Sequence, residues 1–233
     1  MKVAIMQPYF FPYLGYFQLI QAVDAFVFYD DVNFIKKSYI NRNAILVNGK
    51  AHQFTIPLKS VSQNKLINEI DVFINEAWIH QFLKTIDYNY SKAPYFNVTR
   101  NLIYDVLQKK EIKISELAMQ SIKMVSAYLE INTAFKVSSK KYYDSKYLKK
   151  ADRLISIVKE NDSIHYINPV GGKLLYKKDY FASQQVRLSF IENELAPYRQ
   201  FNEKFVNGLS IIDVMMFNSK ETIQEMLNQY KIN

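Results

Sequence analysis

Cysteine is absent, which excludes disulfides, zinc ribbons, iron–sulfur clusters and cysteine nucleophiles. Glycine and proline are scarce, 5 and 6 in 233 residues, so no long flexible linker divides the chain. The three histidines, His52, His80 and His165, lie too far apart in sequence to suggest a metal site, and His80 beside Trp78 on a predicted helix reads as packing or surface. No apolar run approaches the ~20 residues needed to span a bilayer. Met1 to Met6 is too short for a signal peptide and leads into a polar-aromatic loop, so the expected location is cytoplasmic. What is present is the balance of a folded protein: 49% hydrophobic and 22% charged residues, with 18 Tyr and 16 Phe. The formal net charge of +8 points to anionic partners: nucleic acid, nucleotide, phosphosugar or a membrane surface. The lysines are spread out, with no block of five or six like charges, which argues against nucleic acid.

Val3-Ala4-Ile5-Met6 reads as a buried strand, Tyr16 to Ala22 as a helix and Ala25 to Tyr29 as a second strand. That succession within about thirty residues predicts a βαβ unit with parallel strands. Asn48-Gly49-Lys50, flanked by Asn43–Val47 and His52–Leu58, predicts a hairpin, and Lys65 to Ile74 a further strand. Ala77–Tyr88, Tyr95–Lys109 and Ile114–Ile131 read as helices; Leu117, Ile122, Val125 and Leu129 share a face of the last. Alternation then returns: strands at 135–137, 165–167 and 186–190, helices at 151–160 and from Lys178, and a helical tail at 210–217 and 221–230. The expected fold is α/β: a Rossmann-like parallel sheet flanked by helices, with an inserted β-hairpin and helical segment. Residues 1–233 form a single α/β domain in this reading, and 40–130 an insertion or lid subdomain.

In open parallel sheets, ligands gather at the carboxyl ends of strands. Four loops at such positions carry polar or aromatic residues. The first holds Gln7, Tyr9, Tyr13, Gly15 and Tyr16: two prolines stiffen it, Gly15 permits close approach, and tyrosines supply hydroxyls and stacking faces. The same residues also suit a rigid turn whose aromatics plug the sheet. The second holds Asp30-Asp31, able to hold an amine, bind a divalent metal or act as a general base, or simply to cap the strand end. Near it stand Lys36 and Asn41-Arg42-Asn43, with Arg42 as a bidentate clamp for phosphate or carboxylate and Lys36 and Lys59 as added charge. The third holds Ser138 and Ser139, phosphate holders or helix caps; no Gly-x-Ser-x-Gly elbow surrounds them, so a serine hydrolase is excluded. The fourth is Asn168-Pro169-Val170-Gly171-Gly172-Lys173, whose adjacent glycines suit an anion and equally suit a plain turn. It lacks the Walker spacing. The loops should converge on one sheet edge, and that convergence is what argues for a cleft.

Tyr13-Leu14-Gly15-Tyr16 resembles the His-x-Gly-His signature of HUP-type nucleotidyl transferases and ligases, with tyrosine in place of both histidines. In that superfamily the histidines stabilise the transferring phosphoryl group; a phenol donates a hydrogen bond but brings no positive charge. Lys136-Val137-Ser138-Ser139-Lys140 is faintly similar to the second, Lys/Ser-rich signature.

Nearly the full chain resembles the WbqC-like protein family of bacterial proteins associated with surface-polysaccharide gene clusters. The resemblance rests on Gln7 to Tyr16, Tyr29 to Lys36 and Asn41-Arg42-Asn43. It continues in Ile56-Pro57-Leu58, Ala93 to Phe96, Ser138-Ser139, Tyr166-Ile167-Asn168 with Gly171-Gly172, and Leu209 to Asp213. It implies a cytoplasmic role in building modified sugars without fixing the reaction; the leading expectation is an enzyme that tailors a nucleotide-linked sugar by acyl or aminoacyl transfer to a sugar amine. The partners implied are a nucleotide sugar or other phosphorylated small molecule and an acyl donor; neither a cofactor nor a metal ligand set is specified. Asp30 and Asp31, with Tyr13 and Tyr16, are the candidate catalytic residues; the other residues of the four loops are candidate substrate contacts. Alternatives are an ATP-using ligase or nucleotidyl transferase with a HUP-like site, and a non-catalytic nucleotide-sugar binding protein.

Overall fold

Val3 to Ile5 and Ala25 to Phe28 have no polar face, and such strands are stable only where both sides of their sheet are covered. They form β1 (Lys2–Met6) and β2 (Ala25–Phe28), paired in parallel with Val3 opposite Ala25. The structure is a computed structural model and describes residues 1–108, 113–201 and 204–233. A hairpin, β3 (Arg42–Val47) and β4 (Lys50–Thr55), makes a separate two-stranded antiparallel sheet. Its turn residues Asn48 and Gly49 have φ of 48° and 72°, the two left-handed positions that a tight hairpin turn requires.

The main sheet adds β5 (Ala134–Val137), β6 (His165–Pro169), β7 (Arg187–Asn193) and β8 (Tyr230–Ile232), in the order β5-β2-β1-β6-β7-β8. Every pair is parallel except β7 with β8. The chain winds outward from β1 through β2 to β5, then crosses back to β6 and β7. The order reverses between β1 and β6, the place where α/β folds of this kind hold ligands. The expected Rossmann-like sheet is the one observed.

Helices cover both faces, and the sheet residues divide between them with the period of two that strands impose. Ala4, Phe26 and Phe28 enter a large core shared with α1 (Leu14–Gln21), α2 (Glu76–Tyr90), α3 (Phe96–Gln108) and α4 (Ile114–Tyr128). Leu117, Ile122, Val125 and Leu129 are all buried there, as their spacing predicts. Val3, Ile5, Ala25 and Val27 face a smaller core. It is closed by α6 (Lys150–Lys159) and α7 (Lys178–Ser183), while the short α5 (Ser138–Lys141) follows β5 directly. Two helices of the C-terminal segment, α8 (Ile211–Phe217) and α9 (Lys220–Met226), complete the large core.

Two expectations need correction. Residues 65–74 form no strand: a single 3-10 turn at Ile67–Glu69 lies between isolated one-residue bridges, and the Glu69 side chain accepts from its own turn's Leu66 N–H at 2.8 Å. The tail helix stops at Met226 because the Gln18 amide donates to the carbonyls of Met226 and Gln229, at 2.8 and 2.9 Å. The chain then turns and adds β8 to the sheet edge. Lys109, the last residue of one predicted helix, lies outside the described residues.

Candidate functional site

All four polar loops emerge at the carboxyl edge of the parallel strands, from β1, β2, β5 and β6. The first is shaped by a residue that glycine would normally supply. Phe11 has φ 41°, left-handed and fully buried. It is held from three elements: its N–H donates to Ser121 Oγ at 3.0 Å, and its carbonyl accepts from Asn43 Nδ2 at 2.6 Å and Ser210 Oγ at 2.7 Å. Asn43 thus serves as a buried clamp on the aromatic loop. Asn41 is likewise buried, its amide donating to the Ile56 carbonyl at 3.0 Å.

With its backbone fixed, the loop presents tyrosines. Tyr9 lies 5.6 Å and Tyr13 5.7 Å, centroid to centroid, from Tyr39, forming a partly open wall. Tyr16 is placed otherwise: it is fully buried, and its hydroxyl donates to the Gln7 carbonyl at 2.8 Å. Burial first, and then the neighbouring phenols, push the pKa of Tyr9 up to about 12; burial likewise raises Tyr13 and Tyr16. At neutral pH all three are protonated and offer a donor, not a base. Beyond Tyr39 a 170 Å³ recess is lined by Lys37, Ser38, Arg42, Asn43 and Gly208. The Arg42 guanidinium is half-exposed there and donates to the Lys37 carbonyl. Lys36 is solvent-exposed, and Lys59 stands over Phe73 at 5.4 Å.

Gly15 belongs to α1, where a Cβ would lie 2.9 Å from Asn193 Cγ and 3.0 Å from the Tyr13 ring. The helix can approach the end of β7 only without a side chain, and Asn193 uses that approach to donate to the Gly15 carbonyl at 3.1 Å and to Gln18 Oε1 at 2.6 Å. Gly172 is required for a similar reason: a Cβ would meet Asn168 Oδ1 at 2.6 Å. Asn168 donates to the Tyr166 hydroxyl at 2.7 Å, and Gly171 stands open beside it.

The two carboxylates at the end of β2 differ sharply. Asp30 is 3% exposed, and both its oxygens are occupied. One accepts from Ser138 Oγ and the Ser139 N–H, each at 3.0 Å. The other accepts from Ser139 Oγ at 2.7 Å and Asn68 Nδ2 at 3.4 Å. Ser138 and Ser139 therefore cap Asp30, tying β2 to the start of α5. Asp31 accepts from Ser138 Oγ and pairs with Arg153 at 2.5 Å. Both oxygens of Asp31 are thus engaged, one by the Ser138 hydroxyl and the other by the Arg153 guanidinium. The Arg153 guanidinium also lies 4.8 Å over the Tyr29 ring. Burial raises the Tyr29 pKa, with the Arg153 charge opposing it.

Arg153, Tyr29 and Tyr39 were not singled out from the sequence. A signal existed for Arg153, which is one helical turn before the buried Ile157 and so shares the apolar face of α6. The histidines lie elsewhere: His165 opens β6 at the opposite edge beside Ser189, and His80 lines a 660 Å³ cavity with Arg100 and Tyr104. Among the described residues, no cluster of three or more His, Asp or Glu has metal-binding geometry.

The chain matches the WbqC-like protein family over residues 7–225. It belongs to that family. The WbqC-like match opens at Gln7, the first residue after β1, and takes in every strand-end loop described above. Among curated proteins, "Uncharacterized protein Rv1507c" of Mycobacterium tuberculosis (strain ATCC 25618 / H37Rv) is 25% identical over 221 residues, spanning 93% of each chain. No solved structure matches. Among the described residues, no helix is long and apolar enough to cross a membrane.

Proposed function

We propose that this WbqC-like protein is an enzyme of bacterial surface-polysaccharide synthesis that transfers an acyl or aminoacyl group to the amine of a nucleotide-linked sugar. The observation that supports the reading is the tyrosine wall of Tyr9, Tyr13 and Tyr39 beside a recess lined by Arg42; the Asp30-Asp31 pair follows β2 at the carboxyl edge of the sheet. Tyr9 and Tyr39 stack on the base or sugar ring. Arg42, with Lys36 at the rim, takes the phosphates. Asp31 accepts a proton from the sugar amine as its nitrogen attacks the acyl carbonyl. The new N–C bond forms as the bond to the donor's leaving group breaks, and the Tyr13 hydroxyl donates to the oxygen that gains charge. Asp30, capped by two serines, positions Asp31. Asn168, Gly171 and Gly172, at and just past the end of β6, would add contacts from that strand end.

A non-catalytic nucleotide-sugar binder is the second reading, favoured by the internal hydrogen bonds and ion pair that engage every oxygen of Asp30 and Asp31. The ATP-dependent reading gains less, because Tyr16 spends its hydroxyl inside the core. A thermal-shift screen against nucleotide sugars, acyl-CoA compounds and ATP with magnesium identifies the ligand class; a ligand at one hundred times Kd stabilises by about 2.7 kcal/mol. With that ligand, Asp31→Asn, compared at a temperature where circular dichroism shows it folded despite the stranded Arg153 charge, is expected to keep binding and lose about a hundredfold or more in turnover. Retained turnover rules out Asp31 as base, and binding with no turnover in the wild-type protein supports the second reading.

A further inference from the structure

Two segments at the carboxyl edge of the sheet expose apolar side chains that no packing accounts for. After β6, Leu174 is 94% and Leu175 75% exposed, and Val170 is exposed beside them. After α5, Tyr147 is 77% exposed, with Tyr143 and Leu148 also in solvent. Large apolar groups scattered singly over a surface need no explanation, but a concentration of them does.

The fold brings these segments to one face. In the segment after α5, Ser145 Oγ accepts from Arg153 Nε at 3.4 Å, and Arg153 stacks on Tyr29. In the segment after β6, Tyr176 lies close enough to Tyr29 to raise its phenol pKa, and packs edge-on against Phe181 at 5.9 Å. Tyr180 closes the gap by donating to Asp152, near the start of α6. Both segments thus cover the smaller core, on the side of α6 and α7.

Charge follows the same pattern. Residues 140–150 hold five lysines and one aspartate, and residues 170–180 three lysines and one aspartate, so six of the chain's eight net positive charges fall in these two stretches. The two stretches are separated in sequence by α6 and β6, and Lys173 and Lys177 flank the exposed Leu174-Leu175 pair directly along the chain. Lys146 stands over the Tyr143 ring at 3.5 Å and the Tyr147 ring at 5.0 Å.

We propose that this face docks on an anionic lipid bilayer, with Leu174, Leu175 and Tyr147 entering the headgroup region and the surrounding lysines meeting lipid phosphates. Aliphatic tips with flanking lysines fit an interface that is apolar below and negative above. A nucleic-acid backbone would use the lysines and leave Leu174 and Leu175 without a partner. The inference stands on the surface alone and does not require the proposed reaction.

Sedimentation of the full chain with vesicles tests it. Vesicles of phosphatidylglycerol and phosphatidylcholine are expected to capture the protein, vesicles of phosphatidylcholine alone to capture little, and high salt to release most of it. Leu174→Ser with Leu175→Ser should cut capture about tenfold or more. Lys149→Glu with Lys177→Glu, one from each segment, should do so independently. All four side chains are exposed, and an unchanged melting temperature confirms that each variant folds. The proposal is overturned by equal capture on neutral vesicles, by capture that survives the leucine changes, or by single-stranded DNA competing for binding with no dependence on Leu174 and Leu175.

Discussion

Arg153 and Asp31 form a pair with side chains 5% and 9% exposed, so the loss of either partner strands a buried charge. Arg153→Leu is expected to cost about 3–5 kcal/mol in urea denaturation. Adding Asp31→Asn should recover part of that loss, because the stranded charge goes with it. Tyr9 supplies a pH signature. Its phenol pKa stands at about 12 in the folded chain against 10.0 unperturbed, burial being the main cause. A group whose pKa is raised by folding contributes stability below its unfolded pKa and loses it as pH rises to the folded value. Wild-type stability should therefore fall between about pH 10 and 12 more steeply than that of Tyr9→Phe. Parallel slopes in denaturant melts across that window would contradict the burial assigned to Tyr9.

At the scale of elements, the contact between α1 and β7 depends on Gly15. Gly15→Ala forces a methyl into Asn193 and the Tyr13 ring, and should lower stability by about 1–3 kcal/mol. A melting temperature equal to wild type would mean that Asn193 can swing away at no cost. The elements also show what a sequence reveals of itself. β1 and β2 were legible because a strand buried on both faces must be apolar throughout, and Asn48-Gly49 marked its hairpin through turn geometry. β8 was not, because Tyr230–Ile232 is three residues long and its pairing with β7 is decided by Gln18, more than two hundred residues earlier. The candidate site divides in the same way. Asp30-Asp31 and the aromatic loop stood out because strand-end position is a local property. The capping of Asp30 by Ser138 and Ser139, and the hold of Arg153 on Asp31, join residues more than a hundred positions apart, and only the sheet order brings β2 and β5 together. Asn41 and Asn43, read as ligand contacts, are found bonded to backbone carbonyls, a role that an isolated asparagine does not announce.

For the molecule as a whole, the order β5-β2-β1-β6-β7 gathers the ends of four polar loops along one edge, while the histidines and the 660 Å³ cavity fall outside it. Six of the eight net positive charges fall in residues 140–150 and 170–180, which follow β5 and β6. The central claim is that a nucleotide-linked sugar binds at the carboxyl edge of the sheet, against the tyrosine wall and Arg42. Isothermal titration of wild-type protein and Arg42→Ala with uridine- and thymidine-diphosphate amino sugars tests it directly. Saturable binding to the wild type, weakened about tenfold or more by Arg42→Ala, a loss of about 1.4 kcal/mol or more, is the predicted result. Absence of binding across the panel, or equal affinity in the two proteins, would contradict the account.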